Sequence, residues 1–170
     1  TRFHIVACGS AYHVGCCAKY VIEDLTDTSC DVDFASEFRY RDPRLEEGSM
    51  VIVISQSGET ADTIAAMRLA KEKGIPVIGI VNVGSTIARE ADYVLQTYAG
   101  PEISVATTKA YSAQLIVCYL IAMECARGQK RLNSEKYSEM ISQLDKLSGQ
   151  IQKVLDDKER IQWFAAKYAA

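Results

Sequence analysis

The chain has 170 residues, a formal net charge of -3 at pH 7 and a hydrophobic fraction of 48%. That length suits one domain of ordinary size with a full core, and the acidic balance, with no Lys/Arg cluster, excludes a nucleic-acid footprint. The longest unbroken apolar stretch, Leu115 to Met123, is far shorter than the roughly 20 residues of a membrane span, and Thr1 to His4 leads straight into a strand without a leader pattern.

Phe3 to Cys8 reads as the first strand and ends at Gly9-Ser10-Ala11. A helix is expected from about Tyr12 to Leu25, with Val14, Ala18, Val21, Ile22 and Leu25 on its apolar side. The junction lacks the G-x-G-x-x-G spacing and the acidic ribose partner of a dinucleotide fold, so that cofactor is excluded. Gly9 serves a tight turn whether or not a ligand visits. Cys30 to Ala35 has the alternation of a short strand, and Ser36 to Arg41 reads as a short helix or loop cut off by Pro43. Arg39 and Arg41 read as solvated surface charges.

Met50-Val51-Ile52-Val53-Ile54 reads as a buried strand, because four β-branched residues in a row leave no polar face. It is broken by Ser55-Gln56-Ser57-Gly58-Glu59-Thr60, and Ala61 to Gly74 then reads as a helix carrying Ile64, Met67 and Leu69 at helical spacing, with Gly74 as its stop. The hexapeptide therefore sits where a helix presents unpaired N–H groups and the positive end of its dipole. Ser55, Ser57 and Thr60 add hydroxyl donors, and Gly58 permits a close backbone approach. Two readings stay open on chemistry alone: a phosphate seat, or an N-cap in which Ser57 caps its own helix with nothing bound. The absence of a P-loop pattern, and of any lysine in the cradle, favours a monophosphate over a metal-bound triphosphate.

Pro76 to Val81 is a further buried strand, Asn82 to Thr86 a turn, Ile87 to Ala91 a short helix and Tyr93 to Thr97 a fifth strand. This order predicts an α/β fold, a mainly parallel five-stranded sheet with helices on both faces. Ligands in such sheets sit off the carboxyl ends of the strands, so the loops after Cys8 and Ile54 are expected to face one crevice. Gly100-Pro101 breaks the chain, and a long helix is expected from about Ala106 to Arg127. Its Leu115, Ile116, Tyr119, Leu120 and Met123 suit a central helix or a packed interface. Thr107 and Thr108 stand near its start, where helix capping is the simpler role. From Gln129 the chain turns charged and amphipathic. A stripe of Leu144, Leu147, Ile151, Val154 and Leu155 marks a helix after Ser134, and Ile161, Trp163, Phe164 and Tyr168 mark a last one. The six cysteines form no C-x-x-C pair and read as reduced core residues. Neither His4 nor His13 has the spacing of a zinc ligand.

Cys8-Gly9-Ser10, the run S-Q-S-G-E-T-A-D from Ser55 to Asp62, and G-P-E-I-S-V-A-T-T-K from Gly100 to Lys109 resemble the glucosamine-6-phosphate synthase family, the isomerising glutamine–fructose-6-phosphate aminotransferases. The likeness is to the first sugar isomerase (SIS) subdomain of their isomerase domain. It spans nearly the whole chain, including A-S-E-F-R-Y at Ala35 to Tyr40. The S-Q-S-G-E-T run alone marks any SIS domain; joined to E-I-x-V-A-[ST]-T-K it marks the synthases.

The resemblance implies a SIS-type three-layer sandwich over residues 1–133, with residues 134–170 as a helical connector to a second SIS subdomain. It also implies that Ser55, Gln56, Ser57 and Thr60 hold the phosphate of fructose 6-phosphate or glucosamine 6-phosphate. Cys8, Gly9 and Ser10 would line the sugar, with contacts from Val105 and Thr107 and with Glu102 at the rim. The family has Ser where this chain has Ala11, which removes one expected donor at a cost of about 1 kcal/mol. Isomerisation needs a positioned base, and the resemblance places the family's catalytic glutamate, lysine and histidine in the second subdomain. No catalytic residue, cofactor or metal ligand is therefore assigned here. The implied partners are the sugar phosphate, the second subdomain, a glutaminase domain and a second copy in a homodimer, in the cytoplasm. The alternatives are a SIS effector-binding module of a phosphosugar-responsive regulator and a stand-alone phosphosugar isomerase.

Overall fold

Met50–Ser55 (β3) is the middle strand of a five-stranded sheet, and every residue in it after Met50 is buried. The computed structural model describes residues 2–103 and 107–169. In it β1 (Arg2–Ala7), β2 (Ser29–Phe34), β3, β4 (Val77–Val81) and β5 (Tyr93–Gln96) lie in the order β2-β1-β3-β4-β5. All four pairings are parallel. Strands buried on both faces need apolar side chains at every position, which is why β3 and β4 show no polar alternation. The strand order reverses between β1 and β3, and the loops leaving these two strands part to opposite faces and open a crevice at the sheet's carboxyl edge.

The two faces differ in side-chain size. Ile5, Ile52, Ile54 and Ile80 point to the layer made by α1 (Gly9–Leu25) and α5 (Lys109–Gly128). Val6, Val51, Val53, Val77 and Val81 point to the layer of α2 (Ala35–Arg41), α3 (Ala61–Glu72) and α4 (Thr86–Glu90). All six cysteines are free. Burial pushes the Cys30 and Cys118 thiols up to about 12, which keeps them neutral in the core. Cys17, by contrast, is exposed rather than a core residue.

Several boundaries differ from the expected ones. α1 starts at Gly9, three residues before Tyr12, because Gly9 makes the strand-to-helix turn alone at φ +55°. Ala35 opens α2 instead of closing β2, α3 ends at Glu72, and α5 starts at Lys109. The expected start of α5 at Ala106 lies outside the described residues. The buried face of α5 also differs. It is Ala110, Gln114, Cys118, Ala122 and Ala126, a stripe at four-residue spacing, with Met123 beside it. Leu115 and Tyr119 are only partly covered. Small side chains let α5 come close to Ala11, Val14 and Ala18 of α1, so size and not hydropathy picks the inner face.

Residues Asn133–Ala170 form a second compact unit. Asn133 caps α6 (Ser134–Asp156) by accepting from the Lys136 N–H, and α7 (Lys158–Tyr168) follows. Neither helix contains a buried residue, and Ile151, Val154, Leu155 and Trp163 are exposed. No helix among the described residues is long and apolar enough to cross a membrane.

Candidate functional site

The loop from Ser55 to Thr60 is held from behind. Gly58 turns at φ +64° with its carbonyl accepting from the Ile87 N–H at 3.2 Å. The Glu59 carboxylate accepts from the Thr86 N–H at 2.7 Å. The Thr86 side chain and then this N–H hold the Glu59 carboxyl below its ordinary range and seat it on the N-terminus of α4. The one acid of the loop is thereby turned to α4. A Cβ on Gly58 would lie 2.0 Å from the Ser85 hydroxyl oxygen, so the loop can rest against α4 only with glycine there. Ser85 is itself occupied, accepting from the Ala88 N–H as the N-cap of α4.

The hydroxyls of the loop are organised from within. Ser55 Oγ accepts from the Gly58 N–H at 3.0 Å and lies 3.0 Å from Thr60 Oγ1; Ser57 Oγ accepts from the Glu59 N–H at 3.2 Å. An oxygen that accepts a backbone N–H keeps its own proton to donate. The Ser55–Thr60 pair uses one proton internally, which leaves that pair one and Ser57 one for a ligand. Ser57 does not cap α3: the N-cap is Thr60, and its side chain makes no capping hydrogen bond. The first N–H groups of α3 thus keep their capacity for an anion.

Both predicted loops line one crevice of about 170 Å³. Cys8, Ser10 and Ala11 come from the start of α1; Ser55, Gln56, Ser57 and Thr60 from the β3–α3 loop; Thr107 and Gln114 from the α5 side; Ile54 forms part of the lining. Thr63, fully buried on α3, donates to Cys8 Sγ at 3.8 Å and links the two loops. Gly9 makes the turn but does not line the crevice. Glu102 is not in the lining either; its carboxylate accepts from the Ala110 N–H in the first turn of α5, at 3.4 Å. Val105 lies outside the described residues. Arg39 and Arg41 are committed to ion pairs, with Asp62 at 2.7 Å and Asp33 at 2.9 Å, so neither faces the crevice as a free cation.

Thr63 and Gln114 were not singled out from the sequence. Thr63 follows the signature run by three residues and looks like an ordinary helix residue. Gln114 lies in a helix whose larger apolar residues drew the expected face elsewhere. Among the described residues no group of three or more acidic, His or Cys side chains could hold a metal. Among the described residues the crevice lining contains no carboxylate, lysine or histidine, so what these residues offer a ligand is neutral dipoles.

A parallel sheet with a hydroxyl-lined crevice at its switch point defines an α/β domain whose carboxyl edge is shaped for a small ligand. The chain belongs to the SIS domain family, which matches residues 1–124. Its sequence is 56% identical over 168 residues to the glutamine–fructose-6-phosphate aminotransferase (isomerizing) of Caldanaerobacter subterraneus subsp. tengcongensis. It is 48% identical over 167 residues to the enzyme of the same name from Clostridium tetani. Both alignments cover 98% of this chain and 28% of the relative, so the chain spans about a quarter of the length of the curated relatives it matches. The C-terminal domain of glucosamine-fructose-6-phosphate aminotransferase from Francisella tularensis superimposes with a TM-score of 0.93 at 36% identity, over 96% of this chain and 47% of that one.

Proposed function

We propose that this chain is the sugar-phosphate-binding half of the isomerase part of an enzyme converting fructose 6-phosphate and glutamine to glucosamine 6-phosphate. The observation that carries it is the convergence, in one crevice whose described lining has no cationic side chain, of the hydroxyls of Ser10, Ser55, Ser57, Thr60 and Thr107 beside two helix starts. Ser55, Gln56, Ser57 and Thr60 hold the phosphate, Cys8, Ser10 and Thr107 meet the sugar, Gly9 shapes the turn between Cys8 and Ser10, and Glu102 stands at the rim.

A crevice of about 170 Å³ is smaller than the roughly 300–1,000 Å³ of whole ligand pockets. It therefore takes the phosphate end of the sugar and leaves the carbons that react to another part of the enzyme. That division fits a first SIS subdomain over residues 1–133, a connector over residues 134–170, and a second subdomain bringing the base. The names of the relatives support the same assignment. The full-length protein is proposed to carry a glutaminase domain, to pair as a homodimer and to work in the cytoplasm.

Titration calorimetry with fructose 6-phosphate and glucosamine 6-phosphate tests the seat. Each hydroxyl bonded to a phosphate contributes about 1–3 kcal/mol, so removing the two free donors by replacing Ser55, Ser57 and Thr60 together with Ala should weaken binding by roughly thirtyfold or more. Unchanged affinity in that variant would remove the assignment.

A further inference from the structure

Every other member of the four-residue stripe on the inner face of α5 is small and carries no oxygen or nitrogen: Ala110, Cys118, Ala122 and Ala126. Gln114 interrupts it. Its side chain is 1% exposed and lines the crevice. Burying a carboxamide costs free energy unless its donors and acceptor are met. A methionine or leucine would fill the same volume without that cost. The carboxamide thus sits where its stripe opens on the crevice and not on packed protein.

We propose that Gln114 is a specificity residue whose carboxamide hydrogen-bonds a hydroxyl of the sugar body. The inference rests on the sugar-phosphate reading of the crevice and adds a contact that the signature runs do not contain. The choice of hydroxyl over phosphate follows from chemistry. A phosphoryl oxygen accepts only, and its donors are already gathered at the loop from Ser55 to Thr60. A sugar hydroxyl both donates and accepts, and a carboxamide offers both functions at one end of its side chain. Gln114 also lies more than a turn inside α5, whose first helical residue is Lys109, beyond the unpaired N–H groups that suit an anion.

Titration of the 170-residue chain with fructose 6-phosphate and, separately, with inorganic phosphate tests this. Gln114→Met is expected to weaken fructose 6-phosphate by about five- to tenfold, to leave inorganic phosphate unchanged, and to keep or raise the thermal midpoint. Gln114→Leu gives the same comparison should the methionine variant misfold. Equal weakening of both ligands would place the amide on the phosphate and overturn the proposal. Unchanged binding of both, with a lowered midpoint, would make Gln114 structural and overturn it too. In either case a wild-type chain that binds fructose 6-phosphate leaves the reading of the crevice standing. A wild-type chain that binds no sugar phosphate removes both.

Discussion

Gly58 shows how a single position fixes the site. Its φ of +64° lies where L side chains are strained, and the space behind it is filled by Ser85. Alanine there adds about 1–2 kcal/mol of backbone strain to roughly 1–3 kcal/mol of overpacking. Urea denaturation of Gly58→Ala should show a loss of about 2–5 kcal/mol, and calorimetry should show weakened phosphosugar binding as the loop leaves α4. A variant of wild-type stability would mean that Ser85 moves aside freely. Glu59 illustrates the same point for charge. An acid inside a proposed phosphate seat looks out of place in the sequence, and its bond to the Thr86 N–H explains it as a clamp on the back of the loop.

At the scale of elements, what was legible followed from patterns with one structural solution. Val51 to Ile54 could only be a strand buried on both faces, and Gly58 with its neighbouring hydroxyls could only mark a strand-to-helix turn. Helix starts were less legible, since Gly9 compresses a turn that ordinarily takes several residues. The inner face of α5 was not legible from hydropathy, because close approach to α1 rewards Ala and Cys over Leu and Tyr. Gln114 stayed hidden for the same reason: within a helix a lone amide looks like a solvated one.

Close packing makes its own prediction on α1, where a Cβ at Gly15 would meet Ile5 Cγ2 at 2.8 Å and Val32 Cγ1 at 3.1 Å. Gly15→Ala should gain helix propensity of at most about 1 kcal/mol and lose roughly 1–3 kcal/mol to overpacking of β1 and β2. A net lowering of the thermal midpoint is expected. A raised midpoint would show that α1 can ride away from the sheet at no cost.

For the molecule as a whole, the residues that build the crevice all fall within the first compact unit, Thr1–Leu132, while α6 and α7 bury none of their residues. The crevice and the core clusters behind it therefore belong to that first unit. Ending the chain after Leu132 should shift the thermal midpoint by less than about 4 °C, the equivalent of under ~1 kcal/mol, and should leave phosphosugar affinity intact. Loss of folding on truncation would contradict a division at this point.

The central claim is that the loop from Ser55 to Thr60 seats a single phosphoryl group. A crystal structure of the chain grown with glucosamine 6-phosphate tests it most directly. The account predicts the phosphorus beside the start of α3, with its oxygens within hydrogen-bond reach of the Ser55, Ser57 or Thr60 hydroxyls. A phosphate bound elsewhere on the chain, with that crevice holding only water, would contradict it.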